Sequence, residues 1–187
     1  MLSLKNIGIL VNMARKKPVV KHKQTPVILI AAIQKDRGIG NQGKLLYQFR
    51  EDMEHFKNIT SGHTVIMGRK TWESLPATFR PLPNRENIVI SRDSNYKAEG
   101  AIVVNRFYQA LEKANPDKKM YVIGGGEIYR QALSYADTLE LTIIEGNQNA
   151  DTFFPEYENY FQEESSSQKY ISSGDSIPFR FVTFIKK

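Results

Sequence analysis

The stretch that most constrains the fold is residues 27–33, which read VILIAAI. A short, continuous, largely β-branched apolar run predicts a strand covered on both faces, as in the middle of a parallel sheet. Parallel neighbours need long crossovers, and the rest of the chain can supply them. Strand-like segments at 64–67, 87–91, 101–104, 120–123 and 138–145 alternate with helical patterns at 50–60, 69–75, 107–114 and 127–133. The last two strand candidates, 160–166 and 178–186, have no helix between them and predict an antiparallel C-terminal edge. The expected architecture is a single three-layer α/β domain, with a mixed, mainly parallel central sheet and helices on both faces. Residues 34–48 carry Gly38, Gly40 and Gly43 and predict a mobile loop, and 147–155 a polar one.

The length of 187 residues suits one compact core rather than two full domains. The net charge of +6 would suggest nucleic acid if it were spread over the fold. It is confined to residues 1–25, which hold six basic residues and no acid, leaving 20 basic against 20 acidic in the remainder. Residues 26–187 are therefore expected to form the domain, with no nucleic-acid partner. Residues 1–25 read as a basic, disordered N-terminal extension. A start misplaced upstream of Met13 is an alternative, as is a targeting segment, which one Arg and one Ser match poorly. The absence of cysteine excludes disulfides and Cys-based metal or redox sites, and fits a reducing, cytoplasmic setting. No apolar run approaches the roughly 18 residues of a membrane span. A monomer without a metal site is expected.

The helical pattern at 50–60 isolates one unusual residue. Phe49, Met53, Phe56 and Ile59 form an apolar stripe at 100° per residue, and Glu51, Glu54, Lys57 and Asn58 point away. Asp52 falls between Ile59 and Phe56 on the apolar side. It is either a helix-start acid favoured by the macrodipole and still wetted, or a pocket carboxylate awaiting a cationic or amidine-like ligand.

Three strand ends then offer anion contacts. Gly124-Gly125-Gly126 joins a strand to a helix start, where absent side chains would let a phosphate reach backbone N–H groups. A tight turn with no ligand would use the same residues. Met67-Gly68-Arg69-Lys70-Thr71 puts cations at a helix N-terminus, against the dipole, so an anion would justify them. Ser91-Arg92 adds a hydroxyl and a guanidinium. Two Arg-bearing strand ends suit a nucleotide with an extra phosphate, hence NADP rather than NAD. Solvated surface charge is the plainer reading of both.

Taken in order, these segments resemble the dihydrofolate reductase family over about residues 27–187. The resemblance runs through VILIAAI, Asp36-Arg37-Gly38-Ile39-Gly40, 49–56 with its Asp, VIMGRKTWESL at 65–75, Pro81-Leu82-Pro83-Asn84-Arg85, Asn87–Ser91, VIGGGEIY at 122–129, Leu141-Thr142 and ADTFFP at 150–155. Each piece is weakly specific, but their shared order and spacing are very specific.

The resemblance implies NADPH-dependent reduction of 7,8-dihydrofolate to tetrahydrofolate, with hydride to pterin C6 and a proton to N5. It implies that Asp52, with Thr142 as its partner, holds the pterin's 2-amino group and N3. Ile30, Ala31, Phe56 and Leu75 resemble the pocket walls, and Arg85 the arginine that pairs with the substrate's α-carboxylate. The cofactor residues implied are Ala32, Ile39, Gly40, Gly68, Arg69, Lys70, Thr71, Ser91, Arg92, Ile123, Gly125, Gly126, Glu127, Ile128, Tyr129 and Thr152. Residues 41–47 resemble a lid steadied by Asp151. The lid departs from the family pattern: Leu46-Tyr47 replaces the usual Pro-Trp, and Arg50 stands where Pro is common. Tyr47 is thereby a catalytic candidate whose phenol would place a water differently near Asp52. Two rivals are a related pyrimidine reductase of riboflavin synthesis and a non-catalytic nucleotide-binding relative. Asp52 and Arg85 argue against the first, and Asp52, Thr142 and the cofactor residues together against the second.

Overall fold

A computed structural model describes residues 25–187. The expectation for residues 1–25 therefore lies, but for Thr25, outside the described residues. In chain order the elements are β1 (Val27–Gln34), β2 (Gly38–Asn41), β3 (Lys44–Leu45), α1 (Arg50–Thr60), β4 (Thr64–Gly68) and α2 (Arg69–Ser74). They continue with β5 (Glu86–Ile90), β6 (Ile102–Val104), α3 (Phe107–Lys113), β7 (Met120–Val122), α4 (Gly126–Ala132) and β8 (Thr138–Ile144). The chain closes through β9 (Thr152–Phe153), β10 (Phe161–Ser166), β11 (Tyr170–Ile171) and β12 (Pro178–Lys186).

The main sheet runs β10-β12-β8-β1-β7-β4-β5-β6, with β11 on β12. All pairings from β8 to β6 are parallel, and β12 joins β8 antiparallel, as the helix-free end of the sequence implied. The run at β1 lies between β8 and β7 and is covered on both faces, because strand side chains alternate. Val27, Leu29 and Ile33 face α3 and α4, in a cluster with Phe107, Leu111, Ile128 and Tyr129. Ile28 and Ile30 face α1 and α2, with Trp72, Phe56 and Ile59.

That division positions the site. The helix after β1 packs on one face of the sheet, and the helix after β7, its neighbour, packs on the other. Ligands of open α/β sheets bind in the crevice that such a reversal opens at the carboxyl ends of the strands. Two exposures mark it here. Ala31 and Ala32 are half-buried in the middle of β1 although Ile30 and Ile33 are buried, and Ile123 is half-buried directly after β7.

The segment expected to be a mobile loop is built otherwise. β2 pairs with both β3 and β9 in a three-stranded antiparallel sheet. A Cβ on Gly40 would lie 2.8 Å from the Lys44 carbonyl, so the hairpin closes only around a glycine. Met53 is a second correction. It is exposed, at the edge of the apolar arc, and the inward-facing stripe runs through Asp52, Phe56 and Ile59 instead.

Candidate active site

Asp52 is buried to 7% exposure in the first turn of α1. The helix dipole favours its charge there, but solvent is nearly gone. Its one protein partner among the described residues is Thr142 on β8, whose hydroxyl donates to Oδ1 at 2.5 Å. Burial raises the carboxyl above its ordinary value of 3.8, and the Thr142 bond offsets part of the rise. A wetted helix-start acid would show neither feature. Oδ2 has no protein partner among the described residues, so the carboxylate retains acceptor capacity toward a donor entering the crevice.

Arg85 lies against Phe56, a residue of the same helix as Asp52. It is partly buried, and burial pulls its guanidinium below the usual value. It stacks over the Phe56 ring at 5.7 Å and donates from Nε to the Pro83 carbonyl at 3.0 Å. No ion pair to it occurs among the described residues. A partly desolvated guanidinium without a carboxylate suits an anionic ligand group. Its loop is held by Asn87, a residue sequence reasoning treated only as part of a strand. The buried Asn87 amide donates to the carbonyls of Leu82 and Arg85 at 3.0 Å each and accepts from the Leu82 N–H at 3.0 Å. A polar side chain inside an otherwise apolar strand was the signal available.

The glycine turn fits a phosphate-bearing cofactor. A Cβ on Gly125 would meet only Thr71 Oγ1, at 3.4 Å, so the space above it is open toward a side chain that could also hydrogen-bond an anion. Gly126 and Gly68 are required by packing instead. Their Cβ atoms would come to 3.0 Å from the Phe153 carbonyl and from Ile128 respectively. Tyr129 supports the turn from below. It is buried, donates to the Ile30 carbonyl at 2.6 Å, and its phenol pKa is raised by burial, then by the Asp52 charge. Its ring lies 3.3 Å from a hypothetical Gly124 Cβ, and Gly124 adopts φ +117°, a conformation suited to glycine.

Several cofactor candidates sit together here with different roles. Lys70 is exposed and Thr71 half-buried at the start of α2, and Thr152 abuts Gly126. Arg92 is exposed at the end of β5. Ser91 is buried, and its hydroxyl accepts from the Asp93 N–H at 3.2 Å, which shapes its own loop and leaves the hydroxyl proton to donate. The Glu127 carboxylate pairs with Arg130 and with Gln131 on the surface of α4, which leaves its backbone as its contribution to the turn.

The Tyr47 phenol, expected to place a water differently near Asp52, is buried against Leu46, Phe49, Ile144 and Phe179. Its hydroxyl donates to Gln34 Oε1 at 2.9 Å and accepts from the Gln148 N–H at 3.2 Å. Gln34 also donates to the Gln148 carbonyl at 2.8 Å, and Gln148 N–H reaches Gln34 Oε1 at 3.0 Å. With one donation and one acceptance made, the phenol is occupied as a clasp between the lid and residues 146–150. Asp151 fixes the other end of the lid by accepting from the Gln42 N–H at 2.7 Å. Gln34 went unread because an amide at a strand end looks like a solvated terminus.

Comparison with known proteins agrees with this geometry. The family model described as dihydrofolate reductase matches residues 26–186. The chain is 39% identical to the dihydrofolate reductase of Mycobacterium tuberculosis over 153 residues, covering 80% of this chain and 92% of that protein. It is 37% identical over 162 residues to the type 3 dihydrofolate reductase of Salmonella typhimurium, covering 86% and 98%. It is 35% identical over 162 residues to the dihydrofolate reductase of Bacillus subtilis, covering 86% and 95%. A buried carboxylate–threonine pair, a glycine turn after β7, and these matches over residues 26–186 agree on one assignment: the chain belongs to the dihydrofolate reductase family.

Proposed function

We propose that this protein reduces 7,8-dihydrofolate to 5,6,7,8-tetrahydrofolate with NADPH, as a monomer in the cytoplasm. The observation that carries the reading is the buried Asp52–Thr142 pair, which has one carboxylate oxygen left for a ligand. A pterin offers that oxygen a 2-amino group and N3, a two-donor edge suited to a carboxylate. The walls are Ile30, Ala31, Phe56 and Leu75, and Arg85 takes the substrate's α-carboxylate. Ala32, Ile39, Gly40, Gly68, Lys70, Thr71, Ile123, Gly125, Gly126, Ile128, Tyr129 and Thr152 form or back the cofactor cleft, with Arg69 and Arg92 at the 2′-phosphate.

When bound, the reduced nicotinamide supplies the hydride that pterin C6 accepts. The chain supplies orientation and electrostatics. Asp52 addresses the edge of the ring away from N5, so it is not the direct proton donor. Its negative charge raises the basicity of N5 through the conjugated ring, and a water delivers the proton. Thr142 fixes the carboxylate, and its hydroxyl moderates the rise that burial imposes. The clasped lid keeps bulk water from the crevice.

The test is oxidation of reduced nicotinamide by dihydrofolate, run with NADPH and with NADH. NADPH is expected to win by at least about tenfold in kcat/KM, because two charge-assisted contacts to a phosphate contribute a few kcal/mol. Equal efficiency with both cofactors contradicts the Arg69–Arg92 assignment, and no turnover of dihydrofolate contradicts the function.

Residues 26–187 form the catalytic domain in this reading, and residues 1–25 are dispensable. Chain entry is anchored at Pro26 and Val27: the Pro26 carbonyl accepts from Met120, and the Val27 N–H donates to Asp137 at 2.9 Å. A chain starting at Gln24 is expected to fold and to keep near-full turnover, since residues 1–23 show no core pattern. Loss of its cooperative melt shows that the extension packs on the domain.

A further inference from the structure

Arg69 is a poor phosphate reader by its position alone. It opens α2, a helix of six residues, where the dipole disfavours a cation. Its long side chain is 46% exposed, and ordering such a flexible chain costs rotamer entropy. Two groups hold it nevertheless. Glu73, one turn on, pairs with Nη1 at 3.5 Å. The guanidinium also lies over the Tyr96 ring, 5.7 Å from its centroid, and Glu73 faces the Tyr96 hydroxyl as well.

Tyr96 is itself held in place. Its N–H donates to the Asp93 carbonyl at 3.3 Å, Asp93 accepts from the Asn95 N–H at 2.9 Å, and Ser91 Oγ accepts from the Asp93 N–H at 3.2 Å. Its ring packs against the cluster that contains Trp72 of α2. The loop that begins at Ser91-Arg92 thus folds back and sets an aromatic face beneath the cation of the neighbouring strand end.

We propose that Tyr96 is a positioning residue for cofactor selectivity: its ring orders the Arg69 guanidinium, so that this cation meets the 2′-phosphate of the adenosine half already aligned. The inference rests on the reading of Arg69 given above. A cation–π contact at a partly exposed site gains about 0.5–1 kcal/mol, or roughly two- to fivefold in affinity. The ring makes no charge of its own for the phosphate, so its effect passes through Arg69.

Calorimetric binding of 2′,5′-ADP and 5′-AMP to the full chain tests this without turnover. Tyr96→Leu is expected to weaken 2′,5′-ADP by about two- to fivefold and to leave 5′-AMP unchanged. Tyr96→Phe keeps the aromatic face and is expected to bind both like wild type. In steady state, Tyr96→Leu is expected to raise KM for NADPH while kcat at saturation holds. Unchanged 2′,5′-ADP affinity in Tyr96→Leu overturns the proposal, and so does a loss in Tyr96→Phe equal to that in Tyr96→Leu. Equal weakening of both nucleotides also overturns it, since that is general damage to the loop. Arg69→Gln distinguishes the foundation: if that change leaves the preference for 2′,5′-ADP intact, the phosphate reading itself fails.

Discussion

Asp52→Asn is expected to slow hydride transfer to dihydrofolate by roughly a hundredfold or more near neutral pH, the scale of a lost electrostatic or acid–base contribution. The amide keeps the shape and can still accept from Thr142, but the substitution removes the charge proposed to make N5 basic. Cofactor binding is expected to survive, because Gly125, Arg69 and Arg92 lie on other strand ends. Stability should move the other way. The Asp52 carboxyl is raised by burial, so the folded protein holds that proton more tightly than the unfolded chain. Its contribution therefore becomes unfavourable as pH rises from the ordinary 3.8 through the raised folded value, and the penalty is complete above it. Urea melts at pH 7 are expected to show Asp52→Asn more stable than wild type, with the gap closing toward pH 3.8. An Asp52→Asn protein less stable than wild type at pH 7 contradicts the burial argument.

Gly146→Ala is expected to damage folding and turnover together, through the lid. A Cβ there would stand 2.0 Å from the Tyr47 hydroxyl oxygen and 2.5 Å from the ring carbon that bears it. The ring cannot yield easily, since it is buried, lies 5.5 Å from Phe49 and is tied to Gln34 and Gln148. Overpacking of this kind costs about 1–3 kcal/mol, and displacing the lid is expected to lower kcat/KM by about tenfold or more. Adding Tyr47→Leu to Gly146→Ala should recover much of the stability by removing the clashing atoms. The clasp to Gln34 and Gln148 stays broken, so kcat/KM should remain low. Melting temperature and kcat/KM for the single and double variants provide the check. A Gly146→Ala protein as stable as wild type would mean that the clasp has room to move.

The main architecture was legible because its signals are local. VILIAAI implied a doubly covered strand, and it pairs in parallel on both sides. The departure of Asp52 from the charged face of α1 showed before any packing was known, and the carboxylate is buried. What stayed hidden depends on partners far along the chain. β2 and β3 are too short to announce themselves: β2 is paired by Thr152–Phe153 from more than a hundred residues away, and β3 pairs with β2. Tyr47 could be located in the lid but not oriented, because its direction is set by Gln34 and Gln148. Ser91 and Glu127 follow the same rule: their positions at the strand and helix ends were readable, but the groups that engage their side chains were not. Met53 shows the limit of periodicity, which predicts the direction a residue faces but not whether anything covers it.

The most direct measurement of the central claim is a pH series of single-turnover rates for dihydrofolate reduction by enzyme preloaded with NADPH, in wild type and Asp52→Asn. Tetrahydrofolate is expected to form in both, with a deficit of about a hundredfold in the variant near neutral pH. That deficit should shrink as the pH falls and solvent protonates the pterin unaided. Superimposable rates across the whole range would show that Asp52 is a buried helix-start acid without a part in the chemistry.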